Sequence, residues 1–172
     1  MKLYNLIIAA VFALVIVSCG NEYDTSEYFD LEELPGYVAF DADGNNATLA
    51  PYTATEDGGS VGVTVENPTG TLSDITVNYS LGGSAVYGTD YTIDGASASG
   101  GTLVISSNRG SVAETFRADI NVTLLTDDAV DGEKVIEITL TSASNAEGEL
   151  AVGRGGTDFL KTASVIIADI DM

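Results

Sequence analysis

Between Ser60 and Ala168 the apolar residues of this chain recur at every second position, in short runs separated by Gly, Asn, Asp and Ser. That period puts one row of side chains on one face of an extended segment and makes no stripe on a helix. Val61, Val63 and Val65 form one such row, Ile120, Val122 and Leu124 a second, and Ile136, Ile138 and Leu140 a third. Ile75-Thr76-Val77-Asn78-Tyr79-Ser80-Leu81 and Thr102-Leu103-Val104-Ile105 repeat the device. Tyr37-Val38-Ala39-Phe40 is expected as a first edge strand, and Ser164-Val165-Ile166-Ile167-Ala168 as a more fully buried last one. No segment past residue 20 carries a helical stripe capped at both ends. The pattern predicts an all-β protein, a two-sheet antiparallel sandwich of about seven strands. The glycine-rich stretches 95–101 and 145–156 are expected as loops inside one domain.

The N-terminus obeys a different rule. Lys2 is followed by Leu3 to Val17, apolar except for Asn5, and then by Ser18-Cys19-Gly20. Fifteen residues at about 1.5 Å each fall short of a hydrocarbon core of about 30 Å, so the segment reads as a secretory signal. An ordinary cleavage site wants small residues at both A-x-A positions, which Ile16-Val17-Ser18 does not supply. The ending instead resembles a bacterial lipobox, which implies that Cys19 is lipidated and becomes N-terminal after cleavage. Cys19 is the sole cysteine, and it would otherwise be an unpaired thiol in an oxidising compartment. Each buried methylene contributes about 0.8 kcal/mol, so several acyl chains on one residue hold a protein firmly in a leaflet. The expected organisation is a lipoprotein signal peptide over 1–18, a lipidated cysteine with an acidic tether over 19–36, and a folded domain over 37–172. The acids of the tether, from Glu22 to Glu33, resemble the export tag of some Gram-negative surface lipoproteins, and a plain solvated spacer fits them equally. The expected location is the cell envelope, as an outer-membrane lipoprotein exposed at the surface.

Removing residues 1–18 leaves 154, enough for one domain with a proper core. All 26 Asp and Glu remain, against Arg109, Arg117, Lys134, Arg154 and Lys161, for a formal charge of −21. Such a field repels nucleic acid and anionic headgroups and attracts cations. Nucleic acid is therefore excluded as a partner. Catalysis finds no footing either. There is no histidine for a nucleophilic triad or an imidazole metal site, and the cysteine is spent on lipid. Gly153-Arg154-Gly155-Gly156 lacks the Lys-Ser/Thr of a phosphate-binding loop. Asp41-Ala42-Asp43-Gly44-Asn45 begins like an EF-hand loop, but Asn46 and Tyr52 stand where Gly and Glu are needed. A pair of carboxylates could serve a glycosidase, yet 26 acids make no pairing informative without geometry. The chain is expected not to be an enzyme.

Acids gather at the ends of the expected strands. Asp127, Asp128, Asp131 and Glu133 fall within seven residues between two strands, and Asp169 and Asp171 follow the last one. Glu56 precedes the first strong strand, and Asp90 lies in Gly88-Thr89-Asp90-Tyr91. Loops at one end of a sandwich can bring such oxygens together around Ca²⁺. Asp and Gly also make ordinary turns and solvated surface, so spacing alone leaves the choice open.

Glu56-Asp57-Gly58-Gly59-Ser60-Val61, Gly88-Thr89-Asp90-Tyr91 and Gly101-Thr102-Leu103-Val104-Ile105, in that order, resemble a Calx-beta domain. So do Asp127-Asp128 with Glu133 before Ile136-Glu137-Ile138-Thr139-Leu140, and the closing Val165-Ile166-Ile167-Ala168-Asp169. The resemblance runs from Tyr37 to Asp171 and implies an immunoglobulin-like sandwich with a Ca²⁺ site at one end, used in adhesion or ion sensing. Carried across position by position, it implies Glu56, Asp90, Asp127, Asp128 and Asp169 as ligands. The family usually shows Glu-x-x-Glu after the Asp run. This chain has Asp131-Gly132-Glu133, one residue shorter, with Asp131 standing in for the first Glu. The family often closes on consecutive acids, whereas Ile170 separates Asp169 from Asp171. Displaced or fewer ligands imply weak binding, of the kind seen in extracellular modules.

The function that follows is a lipid-anchored surface module for binding or adhesion, stabilised by Ca²⁺, with a protein partner at the cell surface. The alternative is a glycan-binding accessory lipoprotein of a nutrient-capture complex. Without tryptophan, its sugar platform would fall to Tyr52, Tyr79, Tyr87 or Tyr91.

Overall fold

A computed structural model describes residues 36–42, 48–107, 116–127 and 129–171. The expected signal segment 1–18, Cys19, the expected tether as far as residue 35, Arg109 and Asp128 lie outside the described residues. Ten strands follow in order: β1 (Tyr37–Phe40), β2 (Tyr52–Thr55), β3 (Ser60–Glu66), β4 (Ile75–Gly83) and β5 (Tyr91–Ile93). Then come β6 (Gly100–Ile105), β7 (Arg117–Leu124), β8 (Lys134–Asn145), β9 (Gly148–Val152) and β10 (Thr162–Ala168). Among the described residues the sole helical element is one 3-10 turn at Arg154–Gly156.

One sheet runs β2-β10-β8-β4-β6, and the other β1-β3-β7-β5. β9 joins them. It leaves β8 as an antiparallel hairpin, Ala143 opposite Leu150, and lies parallel to β1, Val38 opposite Val152. The alternating rows meet in one core: Val63, Val65, Ile120 and Val122 from one sheet face Ile75, Val77, Ile136, Ile138, Leu140 and Val165 from the other. Burying each such side chain stabilises the fold by about 1.5–3 kcal/mol.

All seven expected strands are present, and the immunoglobulin-like sandwich of β-strands is the observed class. Three details differ. The strand count is ten rather than about seven, because β2, β5 and β9 also pair. β1 is not an edge strand: β3 covers one side and β9 the other, so Val38 and Phe40 are fully buried. The stretch 145–156 is not slack loop, since it contains the β9 strand that covers β1. Two of the pairings, β1 with β9 and β2 with β10, are parallel. Both arise where the chain changes sheets, which removes the hairpin that would enforce an antiparallel partner.

The sheet changes also fix where function can sit. β2 passes to β3, β4 to β5, and β7 to β8, each crossing between sheets. Register puts all three crossings at one end, together with the exit of β10: Ala168 lies opposite Thr55, Ile167 opposite Lys134, Gly83 opposite Ile136, and Tyr91 opposite Leu124.

Candidate metal centre

Glu56 follows directly on β2, where the chain must turn within four residues to start β3. The Gly58 N–H donates to Thr55 O at 2.8 Å, and Gly59 takes φ 76°, a left-handed conformation that favours glycine. The Glu56 N–H donates to Ala168 O at 3.2 Å, which binds this turn to the end of β10. Asp90 closes the turn before β5: its carboxylate accepts the Val86 N–H, while its own N–H donates to Val86 O at 2.9 Å. Glu56 and Asp90 are each 8% exposed, unusual burial for acids in so charged a chain.

Asp169 ties the crossings together. Its Oδ2 accepts the N–H groups of Asp131 and Gly132 at 2.9 and 2.8 Å, and its Oδ1 accepts the Asp171 N–H at 2.8 Å. The Glu56 Oε1 accepts the Ile170 N–H at 3.2 Å. Two groups of carboxylates result. One carboxylate oxygen from each of Glu56, Asp169 and Asp171 lies within 4.8 Å of the others, and the same holds for Asp90, Asp127 and Asp131. Lys134, the first residue of β8, reaches into the second group. Its Nζ is 2.5 Å from Asp131 Oδ2 and 3.6 Å from Asp90 Oδ1.

The electrostatics follow from those contacts. The Gly132 N–H is the strongest of several influences on Asp169, ahead of the Asp171 N–H, and they hold its pKa below the usual aspartate range against the effect of burial. Glu56 moves the other way. The Ile170 N–H is its largest single influence and pulls downward, but burial and the charges of Asp171, Asp169 and Asp127 together outweigh it. The Glu56 carboxyl is therefore raised. For Lys134 the hydrogen bond to Asp131 leads and raises the ammonium pKa, with burial opposing and Asp90 adding to the rise.

Of the expected ligands, the structure brings Glu56 and Asp169 into the first group and Asp90, Asp127 and Asp131 into the second. Glu133 is exposed and belongs to neither. Asp128 lies outside the described residues. Asp171 is legible in the sequence as a strand-end acid but does not enter the expected ligand set, and Lys134 is not singled out there. Two acids at i and i+2 in an extended exit were a signal for Asp171, whereas nothing in the spacing marks a lysine as their neighbour.

No protein-family model matches the sequence, and no curated protein matches it. Solved structures do. The apo-form Calx CBD1 domain superposes with a TM-score of 0.55 at 20% identity, over 80% of this chain and 99% of that one. The chain is Calx-beta-like in fold. The Calx CBD2 domain gives a TM-score of 0.55 at 17% identity, over 78% of this chain and 86% of that one. The calcium binding domain CBD12 of CALX1.1 gives 0.51 at 22% identity, over 79% of this chain and 44% of that one.

Within this Calx-beta-like frame the donor chemistry fits a hard cation. Both groups offer carboxylate oxygen alone, the ligand type suited to Ca²⁺ and Mg²⁺ rather than to softer metals. The Asp171 Oδ2 is buried and has no hydrogen-bond donor among the described residues. A buried carboxylate oxygen without a donor is costly, and a cation is the partner that would relieve it.

Glu56→Gln separates the cost of the acids from their use. A carboxyl whose folded pKa lies above its unfolded value binds more protons when folded, so its ionisation lowers stability as pH rises through that value. Glutamine still accepts the Ile170 N–H but carries no charge. In EDTA at neutral pH the Glu56→Gln protein is expected to melt above the parent, with the difference vanishing at acid pH. With a divalent ion present the order reverses, because a ligand oxygen has lost its charge. Thermal scans at two pH values, with and without the ion, check both signs; a variant melting below the parent in EDTA contradicts the reading.

Proposed function

We infer that this domain binds Ca²⁺ through Glu56, Asp169 and Asp171, and that it serves as a calcium-stabilised, non-catalytic binding or adhesion module. Held by lipid on Cys19, it would act at the outer face of the cell envelope, where millimolar Ca²⁺ suits a weak site. The observation that carries the reading is the buried Asp171 Oδ2, unpartnered beside two further carboxylates. The fold shared with a calcium binding domain supports it, as does the position of the group at the sheet crossings of a sandwich.

The glycan alternative has less to stand on. Tyr79 and Tyr91 are core residues, and the Tyr87 hydroxyl donates to the carbonyls of Ile93 and Ala96. That removes Tyr79 and Tyr91 from a sugar platform and engages the hydroxyl of the half-buried Tyr87.

Thermal unfolding in EDTA, in Ca²⁺ and in Mg²⁺ at matched ionic strength tests the calcium reading. An ion that binds only the folded state stabilises it by about 2.7 kcal/mol at a hundred times its Kd, a rise of roughly 10 °C for a domain of this size. The rise is expected in Ca²⁺ and to be much smaller in Mg²⁺, which demands a tighter octahedron than loop carboxylates provide. Equal melting temperatures in all three solutions would sink the proposal.

A further inference from the structure

The two carboxylate groups are linked through Asp169, yet among the described residues only one of them pairs with a cation of the protein's own. Among the described residues, the ion pairs that reach either group are those of Lys134, with Asp131 at 2.5 Å and Asp90 at 3.6 Å. Its side chain is 22% exposed, and its place is fixed by β8, whose first residue it is. The other paired bases sit elsewhere: Arg117 with Asp41 and Glu66, Lys161 with Asp158.

We propose that Lys134 is a tethered counter-ion that fills the Asp90–Asp127–Asp131 group, so that divalent binding is confined to Glu56, Asp169 and Asp171. The ammonium uses one oxygen each of Asp131 and Asp90, the oxygens a second ion would need. A divalent ion entering that group would meet a positive charge tethered to β8 and already paired with two of its carboxylates, and like charges so close repel strongly. A tethered ammonium also loses far less freedom on pairing than an ion taken from solution. The second group is neutralised in part whether or not Ca²⁺ is present. Asp169 joins it to the first group, since it accepts the Asp131 and Gly132 N–H groups.

The inference rests on the calcium reading for the identity of the ion, and the test separates the two. The number of Ca²⁺ bound per chain is measured by equilibrium dialysis for the full-length protein, for Lys134→Gln and for Lys134→Arg. Lys134→Gln is expected to bind one more ion than the parent, and to lose that ion again when Asp127→Asn is added. Lys134→Arg, which keeps the charge, is expected to bind the parent's number. Equal counts for the parent and Lys134→Gln overturn the role of Lys134, whatever that count is. A parent that binds no ion beside a Lys134→Gln protein that binds one overturns the first-group site while supporting the lysine. Should Lys134→Gln fail to fold, Asp127→Asn in the parent decides instead. It leaves the parent's count unchanged if Lys134 already fills the group, and a lower count overturns the proposal.

Discussion

Replacing Gly83 with alanine is expected to cost the fold about 3 kcal/mol or more, a larger loss than ordinary single substitutions produce. Gly83 ends β4 opposite Ile136 with φ 101°, where an L side chain is strained. A Cβ placed there would lie 2.1 Å from Val135 O and 3.0 Å from Glu137 N, so the obstacle is backbone. The clashing atoms belong to the β8 backbone, so no side-chain movement relieves them. The same few residues are also interlocked. The Val135 N–H donates to Ser84 Oγ at 2.9 Å, and Val135 O accepts the Ala85 N–H at 3.0 Å. Pushing Val135 away disturbs its neighbour Lys134 and hence the carboxylates that lysine pairs with. Gly88→Ala is the control. Gly88 has φ 84° but nothing within 4 Å of a Cβ, so only the backbone penalty of about 1–2 kcal/mol applies. Urea denaturation of both variants measures the difference. If Gly83→Ala loses no more than Gly88→Ala, β4 and β8 do not approach as closely as described.

That strand contact was not legible in the sequence, though the strands were. Alternation marked seven of them because Val, Ile and Leu at every second position have no other economical arrangement. It missed β2, β5 and β9, which span only four, three and five residues. Too few apolar side chains fall in Tyr52-Thr53-Ala54-Thr55 or in Gly148-Glu149-Leu150-Ala151-Val152 for a period to emerge. It also stopped β8 at Leu140, because Thr141 to Asn145 carries just one buried apolar residue, Ala143. For the site, the sequence located acids at strand ends, and strand ends meet at one pole of a sandwich. Which acid joins which group depends on where β2, β7 and β10 end in space. No one-dimensional pattern separates Glu56 and Asp169 from Asp90, Asp127 and Asp131. Lys134 stayed hidden for the same reason, because its partners lie 44 residues before it and three before it.

Asp169→Ala is expected to remove the Ca²⁺-dependent rise in melting temperature altogether, with affinity lowered by about 100-fold or more, since ligand charge count is what tunes Kd in such sites. Asp169 has two roles, and it accepts three backbone N–H groups where Glu56 accepts the Ile170 N–H. It offers an oxygen to the first group, and it accepts the N–H groups of Asp131, Gly132 and Asp171. Alanine ends both, so the protein is expected to be less stable than the parent in EDTA as well. Asn is no rescue. Both carboxylate oxygens accept N–H groups here, and an amide would turn its NH₂ towards one of them. The pH dependence has a definite sign. A carboxyl held below its unfolded pKa contributes stability that is present above the unfolded value and lost as pH falls through the folded one. The gap between parent and Asp169→Ala in EDTA should therefore be constant from neutral pH down to the ordinary aspartate range and close below it. Glu56→Gln behaves oppositely, gaining stability at neutral pH and losing that gain on acidification. Two acids that share one site thus titrate in opposite senses: Asp169 is held by backbone donors, and Glu56 is pressed by its charged neighbours. An Asp169→Ala protein that keeps the full Ca²⁺ response would place the ion away from the exit of β10, and the Glu56–Asp169–Asp171 assignment would have to be given up.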